Sequence, residues 1–125
     1  MKALHNVTAV LVAGAGMALL VFPSSAVVLL VGAPLETPAA LTVAHVGGAG
    51  LLALGVACWF ARDDSQSRAA RGLVAAMLVY NVGAVAILAF TGIGYGLYGV
   101  ALWPGAILHA VMAVWCMACL RGRRR

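Results

Sequence analysis

The fold is decided by residues 72–120, GLVAAMLVYNVGAVAILAFTGIGYGLYGVALWPGAILHAVMAVWCMACL, which contain no charged side chain. Arg71 precedes these 49 residues and Arg121 follows them. A helix needs about 20 residues to cross the hydrocarbon core of a bilayer, so the stretch is long enough for two membrane spans. The glycine and tyrosine residues of segment 92–99 predict the turn between those spans.

The rest of the chain divides in the same way. The uncharged run between Lys2 and Glu36 has 33 residues, and the run between Glu36 and Arg62 has 25. Pro23 ends the first span, because proline lacks the amide that would continue a helix. We therefore predict an all-α fold, an integral membrane four-helix bundle that forms a single domain over residues 1–125. The predicted spans are about 4–22, 40–61, 72–91 and 103–120, with a short half-helix at the membrane interface in the link 23–40.

The composition excludes the two other broad classes of chain. Hydrophobic residues make up 65% of the protein and charged residues 9%, whereas a soluble domain has about 45–50% and about 25%. Too few polar side chains remain to cover a water-soluble fold. Intrinsic disorder is excluded for the opposite reason, because disordered chains are poor in apolar residues.

The basic residues predict the orientation of the bundle. With four spans, every Lys and Arg falls at one end, and the other end carries only Glu36. The positive-inside rule then places both termini in the cytoplasm, in a bacterial cytoplasmic (inner) membrane. Lys2, the apolar stretch after it and Ser24-Ser25-Ala26 also resemble a secretory signal, but we favour a retained first helix. The residues at the basic end are Lys2, Arg62, Arg68, Arg71, Arg121, Arg123, Arg124 and Arg125.

Two polar side chains are predicted near the middle of the bilayer. From the rise of a helix, Asn81 lies about 15 Å above Arg71 and His109 about 18 Å above Arg121. The favoured interpretation is a hydrogen bond from Asn81 to His109 between the third and fourth spans. The alternative is a cofactor, proton or cation site. A haem held by His109 and His45 is disfavoured, because the estimated depths of the two differ by about 7 Å.

Three cysteines lie near the basic end of the predicted bundle. Cys116 and Cys119 are three residues apart and share a helix face, and Cys58 lies at a similar depth. Such thiols are candidate ligands for a soft metal such as Cu(I). Packing is the favoured role, because the pair lies at the carboxyl end of its helix, where the dipole does not lower a thiol pKa. We expect the thiols to be reduced.

Small residues recur at four-residue spacing in the second and fourth spans, which lets helices approach closely. The patterns are Ala44-x-x-x-Gly48, Ala49-x-x-x-Ala53-x-x-x-Ala57 and Ala106-x-x-x-Ala110. They make the second span the predicted central or interface helix. The spacing does not distinguish packing within the chain from packing against a partner.

The charged residues suggest lipid contact rather than catalysis. Arg121, Arg123, Arg124 and Arg125 are candidate contacts for anionic lipid headgroups, and a tail this short is a poor match to nucleic acid. The acids are Glu36 at one end of the bundle and Asp63-Asp64 at the other. Neither arrangement is a paired-carboxylate site, and no catalytic constellation is predicted.

The order of these features resembles a known group. The first span ends in Phe22-Pro23, an apolar link with Gly32 and Pro34 follows, and the small-residue second span ends in Trp59-Phe60-Ala61-Arg62. This layout resembles the small four-span DoxX-like bacterial membrane families over most of the chain. Some members of that group act as accessory subunits of membrane oxidoreductases. The resemblance therefore implies a membrane bundle and a supporting role, and it assigns no functional residue.

Two functional hypotheses follow. The first is a non-enzymatic membrane subunit or accessory protein that packs against a larger, energy-transducing membrane complex or against itself, in contact with membrane lipid and without a cofactor. The second is a small carrier or redox helper for a hydrophobic molecule such as a quinone, or a haem- or metal-binding membrane protein. The second hypothesis would use Asn81, His109 and the Cys116/Cys119 pair.

Overall fold

The structure, a computed structural model, describes residues 1–64 and 67–122. Within those residues the chain folds into five helices joined by short segments. Four of the helices are long and apolar enough to cross a membrane, as predicted, and the nine-residue α2 is not among them. The helices are α1 (Lys2–Val21), α2 (Pro23–Val31), α3 (Pro38–Ala61), α4 (Arg68–Gly94) and α5 (Leu102–Arg121).

Local sequence sets where the helices begin and end. Pro23 and Pro38 occupy the first positions of α2 and α3, where a missing amide costs no hydrogen bond. The side chain of Ser67 accepts a hydrogen bond from the Ala70 amide (3.1 Å), which caps α4. Because of this cap α4 starts before Arg71, so it is longer than the predicted span 72–91. Gly32 ends α2 in the left-handed region at φ 80°.

Helices α1 and α3 pack most extensively, through glycine. A Cβ at Gly16 would lie 2.7 Å from the Gly48 carbonyl oxygen and 2.6 Å from the Leu52 amide nitrogen. A Cβ at Gly55 would lie 2.8 Å from the Ala13 Cβ. The two helix backbones are therefore closer than side chains at these positions would allow.

Helices α4 and α5 form the second closely packed pair. Gly92 of α4 lies against the side chains of Leu102 and Trp103, which belong to the first turn of α5. Leu102 and Leu88 are buried at this end of the pair. Toward the other end, buried Met77 of α4 and Met112 of α5 belong to the shared core.

The two pairs share a core at the basic end of the bundle, the end where Lys2, Arg62, Arg68 and Arg121 lie. An ion pair joins Lys2 to Asp63 (2.8 Å), so the start of α1 contacts the segment between α3 and α4. All four long helices contribute buried side chains to this core. They are Leu4, Ala9, Val12, Cys58, Val74, Met77, Met112 and Cys116.

The opposite end is closed by backbone contacts. The Ala101 amide donates to the Leu29 carbonyl (2.8 Å), and the Gly99 amide donates to the Leu30 carbonyl (3.2 Å). Helix α2, the predicted half-helix, is thereby attached to the turn that precedes α5. The turn exposes Tyr95 and Tyr98, and the long helices all connect the basic end with this end.

Candidate functional site

Asn81 and His109 meet between α4 and α5. The Oδ1 atom of Asn81 lies 2.7 Å from Nδ1 of His109, so the predicted interhelical hydrogen bond is confirmed. The Nδ2 group of Asn81 donates to the Met77 carbonyl oxygen, one turn earlier in α4, over 2.7 Å. Asn81 is 2% exposed. Its amide is therefore held in one orientation by partners on both sides.

This orientation fixes the hydrogen-bonding role of His109. Because Nδ2 of Asn81 donates to Met77, Oδ1 faces the imidazole, and an amide oxygen can only accept. Nδ1 of His109 therefore carries the proton and donates it. In the neutral ring Nε2 then has a free lone pair, and it can accept a hydrogen bond from another molecule.

A pocket of about 110 Å³ lies beside this pair, between α1, α4 and α5. The ring of Tyr80 borders it and contacts His109 edge-to-face, with centroids 5.4 Å apart. The remainder of the lining is mostly apolar. The lining residues from α1 are Thr8, Leu11, Val12 and Ala15, and those from α4 and α5 include Met77, Leu108 and Met112.

Thr8 and His5 are buried polar residues that the sequence analysis did not select. Each is 1% exposed. Among the residues that the structure describes, neither the Thr8 hydroxyl nor either ring nitrogen of His5 has a hydrogen-bond partner. Their spacing places His5, Thr8 and Val12 on one helix face, but nothing in the sequence showed that this face is the buried one.

His45 is not part of this site. It is exposed on α3 and does not line the pocket that contains His109. The structure therefore does not bring together the two histidines of the disfavoured haem hypothesis. Within residues 1–64 and 67–122, no three His, Cys, Asp or Glu side chains are grouped to hold a metal ion.

The cysteines lie in the packed core. Cys58 of α3 and Cys116 of α5 are 0% exposed and belong to the same apolar cluster. Cys119 packs against that cluster and is half-buried. All three thiols are free. Their surroundings are those of small apolar packing residues.

The small residues of α3 divide between two faces. Gly48 and Gly55 are buried against α1. Ala49, Ala53 and Ala57 are exposed on α3. The Ala44-x-x-x-Gly48 pattern therefore serves packing within the chain at Gly48, while the alanine pattern forms an exposed helix face.

Charged side chains interact at the basic end, outside the apolar spans. The guanidinium of Arg62 lies 3.5 Å from the centroid of the Trp59 ring, and its Nε contacts Asp63 (3.2 Å). The hydrogen-bonded Lys2 ammonium, with Arg62 beside it, holds the pKa of the Asp63 carboxyl below its usual value. Arg121 is exposed, as a lipid-headgroup contact requires. The other predicted headgroup residues, Arg123, Arg124 and Arg125, lie outside the described residues.

Comparison with known proteins does not identify this chain. No protein family, no curated protein and no solved structure matches it. The resemblance to DoxX-like families thus stays a prediction from the pattern of spans.

Proposed function

We propose that this chain is a non-catalytic membrane protein that binds a small hydrophobic molecule bearing a hydroxyl group, in the pocket between α1, α4 and α5. One observation carries the proposal. The buried Thr8 hydroxyl, which lacks a partner among the described residues, lines the same apolar pocket as His109, whose Nε2 is free to accept. Unpaired polar groups are costly at this depth in a bilayer, and a hydroxylated ligand would satisfy both.

The size and polarity of the pocket define the class of ligand. A cavity of about 150 Å³ binds benzene in an otherwise packed protein core, so a pocket of about 110 Å³ limits the ligand to a single small ring. Nε2 of His109 requires a donor, whereas the Thr8 hydroxyl can donate or accept. A phenol or a quinol matches this arrangement. A quinone carbonyl, which only accepts, would leave Nε2 without a partner.

A pair of matched probes tests the proposal. The protein, labelled with ¹⁵N-histidine in lipid nanodiscs, is titrated with phenol and with its methyl ether, anisole. We expect the phenol to produce a saturable shift of the His109 Nε2 resonance, because only the phenol can donate to it. The ether should produce none.

Two variants locate the binding. Ala15→Leu adds volume to the pocket lining and should abolish the phenol-dependent shift, while His45→Phe on the exposed face of α3 should leave it unchanged. Equal responses to the phenol and the ether, or an unchanged response in Ala15→Leu, would contradict the proposal.

A second candidate function is the accessory role, in which the chain packs against a larger membrane complex or against another copy of itself. The exposed face of Ala49, Ala53 and Ala57 on α3 favours it, because small residues at this spacing let a second helix approach closely. Co-purification of two differently tagged copies, with mass identification of other proteins captured, tests this role. Ala53→Trp should release the partner, and Val79→Trp, on an exposed face of α4, should retain it. Loss in both variants, or in neither, would argue against the alanine face.

The proposed location is a bacterial cytoplasmic membrane, with the basic end and both termini in the cytoplasm. The ion-paired and exposed basic residues at that end support this orientation under the positive-inside rule. A reporter fused after Arg125 should be active only in the cytoplasm, and one inserted at Glu36 only outside. The reverse pattern at either position would contradict the orientation.

A further inference from the structure

Buried polar groups continue from the ligand pocket toward the basic end. Thr8 lies about 9 Å of helix rise beyond Lys2, and His5 about 4.5 Å. The two residues are three positions apart, so their side chains are neighbours on one face of α1. Asn81 and His109, at the other side of the pocket, lie near the middle of the span. Polar groups thus occur at successive depths from the basic surface to mid-bilayer.

The surroundings of His5 do not satisfy its ring. The carbonyl groups of Met1 and Ala70 lie near it, but neither is placed for a well-aligned hydrogen bond to the imidazole. A buried polar group without a partner destabilises the folded protein. Carbonyl groups can only accept, and a neutral imidazole has one N–H, so at least one ring nitrogen of His5 has no partner among the described residues and is able to bind a small polar molecule.

The pocket has room for water next to Thr8. At about 30 Å³ for each water molecule, its volume of about 110 Å³ accommodates three. The Thr8 hydroxyl can accept one hydrogen bond and donate another, and Nε2 of His109 can accept one. This series of polar groups does not continue toward the opposite end of the bundle, where buried apolar side chains follow, including Leu88, Leu102 and Ala106.

From these positions we infer a water-mediated proton route that connects the basic end of the bundle to His109 through His5 and Thr8 and ends there. A proton binds one ring nitrogen of His5 while the other nitrogen releases its proton to water at Thr8. Water then protonates Nε2 of His109, and the resulting imidazolium is held by the Asn81 oxygen. The reverse sequence returns the proton, and only N–H and O–H bonds change.

Other titratable groups border the route. The Met1 amino group lies near His5, and the Tyr80 phenol contacts the His109 ring. The thiols of Cys58 and Cys116 belong to the core around the same end. The route requires no bound ligand, so it goes beyond the proposed binding function and is testable without it.

Hydrogen exchange at the His109 ring tests the route. The full-length protein, labelled with ¹⁵N-histidine, is reconstituted in lipid bilayers, and the rate at which Nε2 of His109 gains and loses a proton is measured from exchange between its protonated and unprotonated ¹⁵N resonances. Thr8→Val keeps the shape of the side chain and removes its hydroxyl, and His5→Phe removes both ring nitrogens. Each should slow exchange by about tenfold or more, the effect of one lost hydrogen bond in a low-dielectric site.

Matched substitutions on α3 serve as controls. Thr42→Val and His45→Phe make the same chemical changes at exposed positions, and they should leave the exchange rate unchanged. If His5→Phe does not fold, the exchange rate measured in the isosteric variant Thr8→Val tests the route. Exchange at the wild-type rate in Thr8→Val, or equal slowing in the controls, would overturn the route, as would a wild-type resonance that does not exchange.

Discussion

The helix pairs α1–α3 and α4–α5 are joined in different ways. Gly16, Gly48 and Gly55 bring α1 and α3 into backbone contact, and no side-chain hydrogen bond links these helices in the part of the chain that the structure describes. Helices α4 and α5 are linked by the bond between Asn81 and His109. In a bilayer the lipid is as apolar as the helices, so association relies on close packing or on polar contacts. The α1–α3 pair relies on close packing, and the α4–α5 pair includes a polar contact.

The difference has a functional consequence. The close approach of α1 and α3 at Gly16, Gly48 and Gly55 involves no side-chain hydrogen-bonding group. The polar contact of α4 and α5 occupies one nitrogen of His109 and leaves the other free to accept a hydrogen bond. The candidate ligand site therefore lies where the polar pair faces the Thr8 side of α1.

The largest loss of stability is expected when the glycine-mediated contact between α1 and α3 is disrupted. Gly16→Ala places a Cβ within 2.7 Å of the Gly48 carbonyl oxygen, and overpacking against backbone should destabilise the protein by about 3 kcal/mol. Gly14→Ala is the matched control in the same helix, because nothing lies within 4 Å of its Cβ. Unfolding by SDS in mixed micelles measures both. Equal stability of the two variants would show that α1 and α3 are not in backbone contact.

A smaller effect is expected where α2 meets the turn before α5. A Cβ at Gly99 would overlap the Leu29 carbonyl group, so Gly99→Ala should break the two backbone hydrogen bonds there. The expected loss is about 1–2 kcal/mol, at about 1 kcal/mol for each bond. Gly105→Ala meets only an ordinary contact at 3.5 Å and should be neutral in the same unfolding assay. Similar losses in both variants would contradict the attachment of α2.

The polar pair should contribute less to stability than the glycine pair. Interhelical hydrogen bonds in membranes average about 0.6 kcal/mol and rarely exceed about 2 kcal/mol. Asn81→Val and His109→Leu should each lower stability modestly, and the double variant should recover much of the loss because both polar groups leave together. Additive losses in this double-mutant cycle would show that the two side chains do not interact.

The same substitutions separate stability from function. If His109 accepts a ligand hydroxyl, His109→Leu should abolish saturable binding of phenol, followed through the NMR signals of the ligand itself, while the protein still folds. The double variant should recover stability without recovering binding. Restored binding in the double variant would show that Asn81 and His109 stabilise the fold and do not bind the ligand.

The smallest expected effect lies at the basic end, where the two helix pairs meet. Lys2 lowers the pKa of Asp63, so the ion pair stabilises the fold above the ordinary carboxyl pKa of about 3.9. This contribution is lost as the pH falls through the lowered pKa. Wild type and Asp63→Asn should therefore differ slightly in thermal stability near neutral pH and become equal in stronger acid. A difference that persists or grows at low pH would contradict the ion pair.

Charge and proline positions predict the fold because the bilayer fixes the length of each span. Pro23 ends the first span next to the observed end of α1 at Val21, and the last span agrees with α5 to within one residue at each end. Helix α4 exceeds its predicted span at both ends. The Ser67 cap extends it through Arg71 and Arg68, which charge counting had treated as outside the helix.

The candidate site was predicted only in part. The estimated depths of Asn81 and His109 along their helices predicted their contact, because α4 and α5 are consecutive and antiparallel. The contributions of Thr8 and His5 depend on which face of α1 meets α4 and α5. Apolar residues surround all sides of α1, so no hydrophobic periodicity indicated that face.

The protonation state of His109 tests the central claim most directly. In lipid bilayers at neutral pH, ¹⁵N spectra distinguish a protonated ring nitrogen from one with a free lone pair. The hydrogen bonds of Asn81 predict a neutral ring with the proton on Nδ1, which donates to Asn81, and an unprotonated Nε2. A proton on Nε2 with a bare Nδ1, unchanged in Asn81→Val, would contradict both the interhelical bond and the acceptor site built on it.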